Sequence, residues 1–339
     1  MKLRVLILAL SSVWALALPG VCGAAAPKPL YRDPITDGAA DVSIVFDKAH
    51  RQWVMFYTNR RATLKDPDPK DVAWVHATPI GMATSKDGLA WTYKGVAAIP
   101  AQCTGPTLWA PELFAEGGVY HMWLTVVPGV FHRWGDKAAT ARIVHLTSKD
   151  LATWTCGDTP DLGSDRVIDA SVVKIGDRYR LWYKDERKGS RILAVESADL
   201  VHWTPTGDGP VVDMAAEGPK VFRFKGAWWM IADAWKGLIV LRSDDARTWS
   251  LQPRRLLEQP GLQPTDTAKG QHPDVVVSGG RAFLYYFVHQ SNEPQAKTDP
   301  YYGQRTVIQV AELKEADGVL SVDREAPVEQ GLAAPEPHP

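Results

Sequence analysis

An all-β chain folded as a single five-bladed β-propeller is the architecture this sequence predicts, on three observations. One ending recurs four times, as Ser-x-Asp-x-x-x-Trp at Ser85–Trp91, Ser148–Trp154, Ser197–Trp203 and Ser243–Trp249, with the tryptophans 63, 49 and 46 residues apart. A period near 50 is the mark of a solenoid or a propeller. Five hairpin signals precede and follow these endings, each an apolar strand, a Gly or Asp turn and an aromatic-rich strand. Helical periodicity is nearly absent. Fourteen tryptophans in 339 residues fit an aromatic core built once per repeat.

The hairpins run in order along the chain. Asp41–Phe46 turns through 47–51 into Trp53–Tyr57, and Pro111–Phe114 turns at Gly117-Gly118 into Tyr120–Leu124. Asp169–Val173 turns at Gly176-Asp177 into Tyr179–Tyr183. Glu217–Phe222 turns at Gly226 into Trp228–Ile231, and His272–Val277 turns at Gly279-Gly280 into Phe283–Phe287. A further strand follows each pair, such as Arg191–Val195, so each unit has the three or four strands of a propeller blade. The Ser-x-Asp-x-x-x-Trp ending then reads as a turn between outer strands, its Ser and Asp capping backbone groups and its Trp packing between blades.

The chain ends bracket this domain. Residues 1–25 carry Lys2 and Arg4, an apolar stretch from Val5 to Leu18 and small residues at Gly20 and Gly23–Ala26, the pattern of a secretory signal peptide. They predict a secreted or periplasmic protein. Cys22 sits where a lipidated cysteine would, but Val21 before it is larger than that signal wants. Residues 26–325 form the propeller and 326–339 a disordered tail. An exported chain can oxidise Cys103 and Cys156 to a disulfide, and two free thiols are the alternative. With 38 cationic and 39 acidic side chains, net -1, the charge offers no attraction to nucleic acid or anionic membranes. No Cys-rich or His-x-x-x-His metal pattern, Walker loop or Gly-x-Ser-x-Gly elbow occurs.

Chemistry is expected where the blades begin, because the first strand of each blade lines the central channel. Asp41, Glu112, Asp169, Glu217 and His272 open the five hairpins and should converge on one mouth of it. Converging carboxylates repel one another unless something uses them. Two carboxyls held apart, one protonated and one ionised, are what glycoside hydrolysis requires.

These segments, with Trp109-Ala110-Pro111-Glu112, Ile168-Asp169-Ala170-Ser171 and Glu217-Gly218-Pro219, resemble glycoside hydrolase family 43 over about residues 31–325. The resemblance implies a five-bladed propeller acting on α-L-arabinofuranosides or β-D-xylosides of plant or algal polysaccharide by inversion. It implies Asp41 as base, Asp169 as the modulator that keeps Glu217 protonated, and Glu217 as acid. It also implies that His272 stands near the axis, often beside a bound ion, with no cofactor required. The family's Asp-Pro dipeptide is missing at Asp41 and Asp169. Asp33-Pro34 matches it but lies too early to start the first hairpin. The segments Phe56–Arg61 and Arg305–Leu313 resemble the related family 117 of anhydro-galactosidases, where the acid role falls to a histidine. Other exo-α-glycosidases, a sialidase and a non-catalytic glycan-binding propeller are the further alternatives.

Antiparallel pairing brings the ends of the second strands to the same mouth. Substrate contacts are therefore expected from Arg60, Trp109, Glu112, Trp134, Lys184, Trp235, His272 and His289. The connections 62–76, 128–141 and 291–304 are expected as pocket walls through Trp74, His76, His132, Trp134, Tyr301 and Tyr302. Walls of this kind suit an exo-acting pocket.

Overall fold

A computed structural model describes residues 25–335. Five four-stranded antiparallel sheets, each made from one contiguous stretch of chain, surround a central channel. Blade 1 comprises β1 (Ala39–Asp47), β2 (Gln52–Asn59), β3 (Ile80–Ser85) and β4 (Thr92–Val96). Blade 2 comprises β5 (Thr107–Glu116), β6 (Val119–Val127), β7 (Arg142–Ser148) and β8 (Thr155–Cys156). Blade 3 comprises β9 (Val167–Ile175), β10 (Arg178–Asp185), β11 (Arg191–Ser197) and β12 (Thr204–Pro205). Blade 4 comprises β13 (Glu217–Phe224), β14 (Ala227–Asp233), β15 (Leu238–Ser243) and β16 (Ser250–Leu251). Blade 5 comprises β17 (Gln271–Ser278), β18 (Arg281–His289), β19 (Thr306–Ala316) and β20 (Val319–Val322). The predicted propeller is the observed fold. Among the described residues no helix is long and apolar enough to cross a membrane. The predicted signal peptide lies almost wholly outside the described residues, as does Cys22.

The repeated ending is the predicted structural turn. In blade 2, Ser148 Oγ accepts from Leu151 N at 2.8 Å, and Asp150 Oδ1 accepts from Ala152 N and Thr153 N at 2.9 and 2.7 Å. Blades 1 and 3 repeat these bonds around Ser85-Asp87 and Ser197-Asp199, and blade 4 repeats the aspartate bonds at Asp245, with Ser243 Oγ accepting from Asp245 N at 3.2 Å. The closing tryptophan then packs edge-on against the middle of the preceding blade: Trp154 on Phe56, Trp203 on Trp123 and Trp249 on Trp182, with centroids 5.8, 6.0 and 6.1 Å apart. Such contacts add roughly 0.5–1.5 kcal/mol each beyond the burial of the rings.

The ring closes through both chain ends. Tyr31 and Ile308 exchange backbone hydrogen bonds of 3.1 and 2.9 Å, tying the segment before β1 to β19. The predicted tail does not hold as disorder between 326 and 335. Val328 and Leu332 are buried in the core between blades 1 and 5, and the Leu332 amide donates to Asp87 O. Two apolar side chains spaced four apart find a seam there that would otherwise face water, which offsets the entropy of ordering the segment. Cys103 and Cys156 form a disulfide, with Cα atoms 5.8 Å apart, that joins the entry and the outer strand of blade 2.

Candidate active site

Each innermost strand carries a β-bulge near its start, between Ala40 and Ser43, Trp109 and Glu112, Glu217 and Lys220, and Gln271 and Asp274, with the matching irregularity of blade 3 opposite Trp182–Lys184. At these bulges Asp41, Ala110, Asp169, Gly218 and His272 all have positive φ, from 40° to 60°. Side-chain L-residues resist that region, and here it turns Asp41, Asp169 and His272 towards the mouth. The register therefore sorts the predicted residues into three levels. Glu217 lies one residue before the bulge, level with Trp109 and Gln271. Asp41, Asp169 and His272 lie on it. Glu112 lies two residues past it, level with Ser43, Ser171, Lys220 and Asp274. Glycine is required at 218, because a Cβ there would stand 2.8 Å from His272 Nδ1.

A cavity of about 720 Å³ opens above the bulges, lined by Asp41, Asp169, Glu217 and His272. Arg60, Trp109, Trp134, Lys184, Trp235 and His289 line it too. Glu112 does not. It lies deeper in the channel, where its carboxylate accepts from Lys220 Nζ at 2.8 Å and from Val172 N at 3.1 Å. The bulge displaces it by two residues from the position that hairpin counting predicts. Of the three predicted wall loops, 128–141 supplies Phe131, Trp134, Lys137 and Ala139, 62–76 supplies only Val75, and 291–304 supplies none. Trp74 and His76 are instead buried in packing, His132 pairs with Asp71 at 2.8 Å, and Tyr302 stacks under Arg305. Tyr301 donates to Asp66 O, which fastens the blade 5 loop to blade 1. Asp33 is buried outside the cavity as the acceptor of Tyr57 Oη (2.6 Å) and Asn59 Nδ2 (3.0 Å).

The charges have definite partners. Asp41 accepts from Arg60 NH2 at 3.1 and 3.2 Å and faces His272 Nδ1 at 3.4 Å. Burial alone would raise its pKa, but the Arg60 and His272 charges outweigh this and hold it below the ordinary range. Glu217 accepts from Lys184 Nζ and Trp235 Nε1, both at 2.8 Å. These donors likewise outweigh burial, so Glu217 rests ionised. Asp169 has only the Gly218 amide, at 3.1 Å, as donor to Oδ2. Burial, reinforced by the Glu217 charge, pushes it up to about 7. In the resting site the Lys184 ammonium therefore works against the expected effect of Asp169 on Glu217. Asp233, paired with Glu217 across β13–β14, is pushed up to about 6 by burial and by the same charge. It accepts from the amides of Trp235 (2.7 Å) and His272 (3.2 Å). His289 is pressed down to about 4 by burial and Arg60, and so is neutral.

The channel one level below His272 already holds a fixed cation. Lys220 Nζ lies 2.8 Å from both Glu112 and Asp274, so a fixed cation already neutralises the acids at that level. Among the described residues no group of three or more His, Cys, Asp or Glu is arranged to hold a metal.

Residues 30–264 match a family model described as a probable glycosyl hydrolase domain and related to glycoside hydrolase family 43. The chain belongs to that family. It is a glycoside hydrolase of the family 43 kind. Solved structures share its fold at low identity. A thermostable family 43 glycoside hydrolase superposes with a TM-score of 0.63 at 18% identity, covering 91% of this chain and 100% of that one. A xylan β-1,4-xylosidase from Bacillus halodurans gives 0.64 at 16%, covering 91% and 61%. A family 43 β-xylosidase/α-arabinofuranosidase from a compost microbial metagenome, solved with xylotriose, gives 0.62 at 16%, covering 88% and 98%. Among curated proteins no sequence matches.

The raised Asp169 has a consequence for stability. Folded Asp169 keeps its proton up to about pH 7, whereas an unfolded aspartate releases it near 4. Between those values the folded state binds the extra proton, so stability falls as pH rises through the window. Denaturant midpoints at pH 5 and pH 8 should show the parent losing at least about 1 kcal/mol that Asp169→Asn keeps. An equal loss in both proteins would remove Asp169 as its source.

Proposed function

We propose that this hydrolase removes terminal arabinofuranose- or xylose-like sugars from plant or algal polysaccharide, outside the cytoplasm, with inversion at the anomeric carbon. The observation that carries the reading is the convergence of Asp41, Asp169 and Glu217 on one cavity walled by Trp109, Trp134 and Trp235. Sugar rings stack on such aromatic faces, and a walled cavity accepts a chain end more readily than a chain middle. Arg60 keeps Asp41 ionised and aims it, which suits a base that takes a proton from attacking water. Glu217 gives a proton to the departing glycosidic oxygen as the sugar passes through an oxocarbenium-like state. Asp169, pushed up to about 7 by burial, is a nearby carboxyl that can pass a proton to the resting Glu217 and regain one from water.

One observation favours a second reading. His272 faces Asp41 and lines the cavity, and although burial opposes its charge, Asp41, Asp169 and Glu217 together raise its pKa. A protonated His272 would serve as acid in an anhydro-galactosidase-like reaction. Glu217→Gln separates the two, since full activity in that variant moves the acid role to His272.

The test is a panel of aryl glycosides in both anomeric series, followed by NMR of the first product on a substrate that is cleaved. An α-glycoside should release the β-anomer first. Initial release of the α-anomer would mean retention and a covalent intermediate.

A further inference from the structure

We propose that the cavity selects a sugar unit bearing an anionic group, a carboxylate or a sulfate ester, seated against the wall made by blade 3 and the 128–141 loop; this rests on the reading of the cavity as a glycosidase site. Four cationic side chains line that wall: Lys137, Arg166, Lys184 and Arg187. They touch one another's supports. Arg166 pairs with Glu186 and donates to Asp136 O, and Arg187 NH1 donates to Lys137 O at 2.7 Å. Lys184 is 4% exposed, with Nζ shared between Glu186 at 2.9 Å and Glu217 at 2.8 Å.

The acids are shared among these cations. Glu186 serves Lys184 and Arg166 together, Glu217 serves Lys184, and Asp165 serves Arg187 at 2.7 Å. Among the described residues Lys137 has no ion-pair partner. Within ion-pair distance the four cations therefore meet three carboxylates, with Asp169 near Lys184 and Asp185 near Arg187 besides. Glu217 must be protonated to act as an acid, and Lys184 then keeps as its ion-pair partner only Glu186, which it shares with Arg166. A buried lysine that loses one of its two carboxylate partners is left undercompensated, and that is costly. A neutral pentose gives no return for that cost, whereas an anionic substituent does.

The geometry also ties recognition to catalysis. An anion that binds the Lys184 ammonium competes with Glu217 for it. Glu217 then loses the donor that holds it ionised, and takes up the proton it needs. The correct substrate would switch on its own acid, and a neutral analogue would leave Glu217 parked on Lys184.

Titration calorimetry of the full protein at low salt tests this without requiring turnover. The probes are D-glucuronic acid against D-glucose for a carboxylate, and galactose 6-sulfate against galactose for a sulfate ester. At least one anionic sugar should bind roughly tenfold or more tightly than its neutral parent, as expected for a new charge-assisted contact. Whichever pair shows the gap names the anion. Lys137→Ala, an exposed change that disturbs no buried pair, should narrow the gap several-fold, and so should Arg187→Ala. Equal affinity within both pairs, including no detectable binding of any probe, overturns the proposal. So does a gap that neither variant narrows. The outcome is separable from that of the aryl-glycoside panel. Cleavage of neutral pentosides with no anion preference keeps the pentosidase reading and removes this one, and preferential anion binding with no pentoside cleaved keeps the anion site and removes the pentose as its substrate.

Discussion

Asp41→Asn and Glu217→Gln should each lower kcat/KM by about two to four orders of magnitude while leaving thermal unfolding nearly unchanged. Both replacements keep the shape of the side chain and remove the charge. In Asp41→Asn, Arg60 loses its ionic partner at 3.1 Å but keeps its place over the Phe287 ring, 4.7 Å from the centroid. In Glu217→Gln the amide oxygen can still accept from Trp235 Nε1 or Lys184, so the mouth should stay in place while the acid is gone. The two variants should also differ in pH behaviour. Glu217→Gln should lose the limb of the profile that reports acid protonation, and Asp41→Asn the limb that reports base ionisation. Rates within threefold of the parent on the best aryl glycoside would remove the residue concerned from the mechanism.

Lys220→Met should be the most destabilising single change near the axis, by about 3–5 kcal/mol at neutral pH, because it strands two buried carboxylates. Lys220 Nζ is 2.8 Å from Glu112 Oε2 and from Asp274 Oδ1, whose side chains are 7% and 2% exposed. Burial raises Glu112, and the Lys220 charge opposes the rise. Without the lysine the burial of Glu112 goes unopposed, and it takes up a proton in the folded state well above the pKa of an unfolded carboxyl. The folded variant then binds more protons than its unfolded chain, so its deficit should grow from pH 5 to pH 8. Urea midpoints across that range check it. A variant as stable as the parent at pH 8 would show that the ammonium contributes little. A double change, Lys220→Met with Glu112→Gln, should recover part of the loss by removing one stranded charge.

The blades were readable in the sequence because their repeated turn is a local device. Ser and Asp bond to amides two and three residues on, so their spacing survives any tertiary context, and the tryptophan that follows has only the neighbouring blade to pack against. The order of the acids along the axis was not readable. A bulge adds a residue without a marker, so hairpin counting placed Glu112 at the mouth when it lies two residues deeper. Asp41, Asp169, Glu217 and His272 stay at the rim because one residue of slip still leaves a side chain there. The electrostatics of Glu217 were half legible. Lys184 was expected at the mouth, but its 2.8 Å contact with Glu217 depends on the approach of β10 to β13, two different blades. Arg166, Lys137 and Arg187 carried no signal, since loop contacts from 136–141 to 165–187 bring them to the wall. Tyr301 and Trp74 were misassigned because a loop aromatic can face a substrate or fasten a neighbouring loop, and composition does not distinguish them.

The level of the channel below the bulges bears on how the ring comes apart. Ser43 Oγ accepts from Leu113 N, Glu112 from Val172 N, Ser171 Oγ from Val221 N, and Asp274 from Ile44 N. In each case a side chain of one blade completes the backbone of the next, and the last of them crosses from blade 5 to blade 1. Only Lys220 breaks the series, and it spans the axis to Glu112 and Asp274 instead. No blade owns all of its innermost hydrogen bonds. Removing any one would leave its neighbour with a buried amide or carboxylate lacking a partner, a loss that cannot stay local. The circle is therefore bound to melt as one cooperative body, unlike an open array of repeats that can fray from its ends.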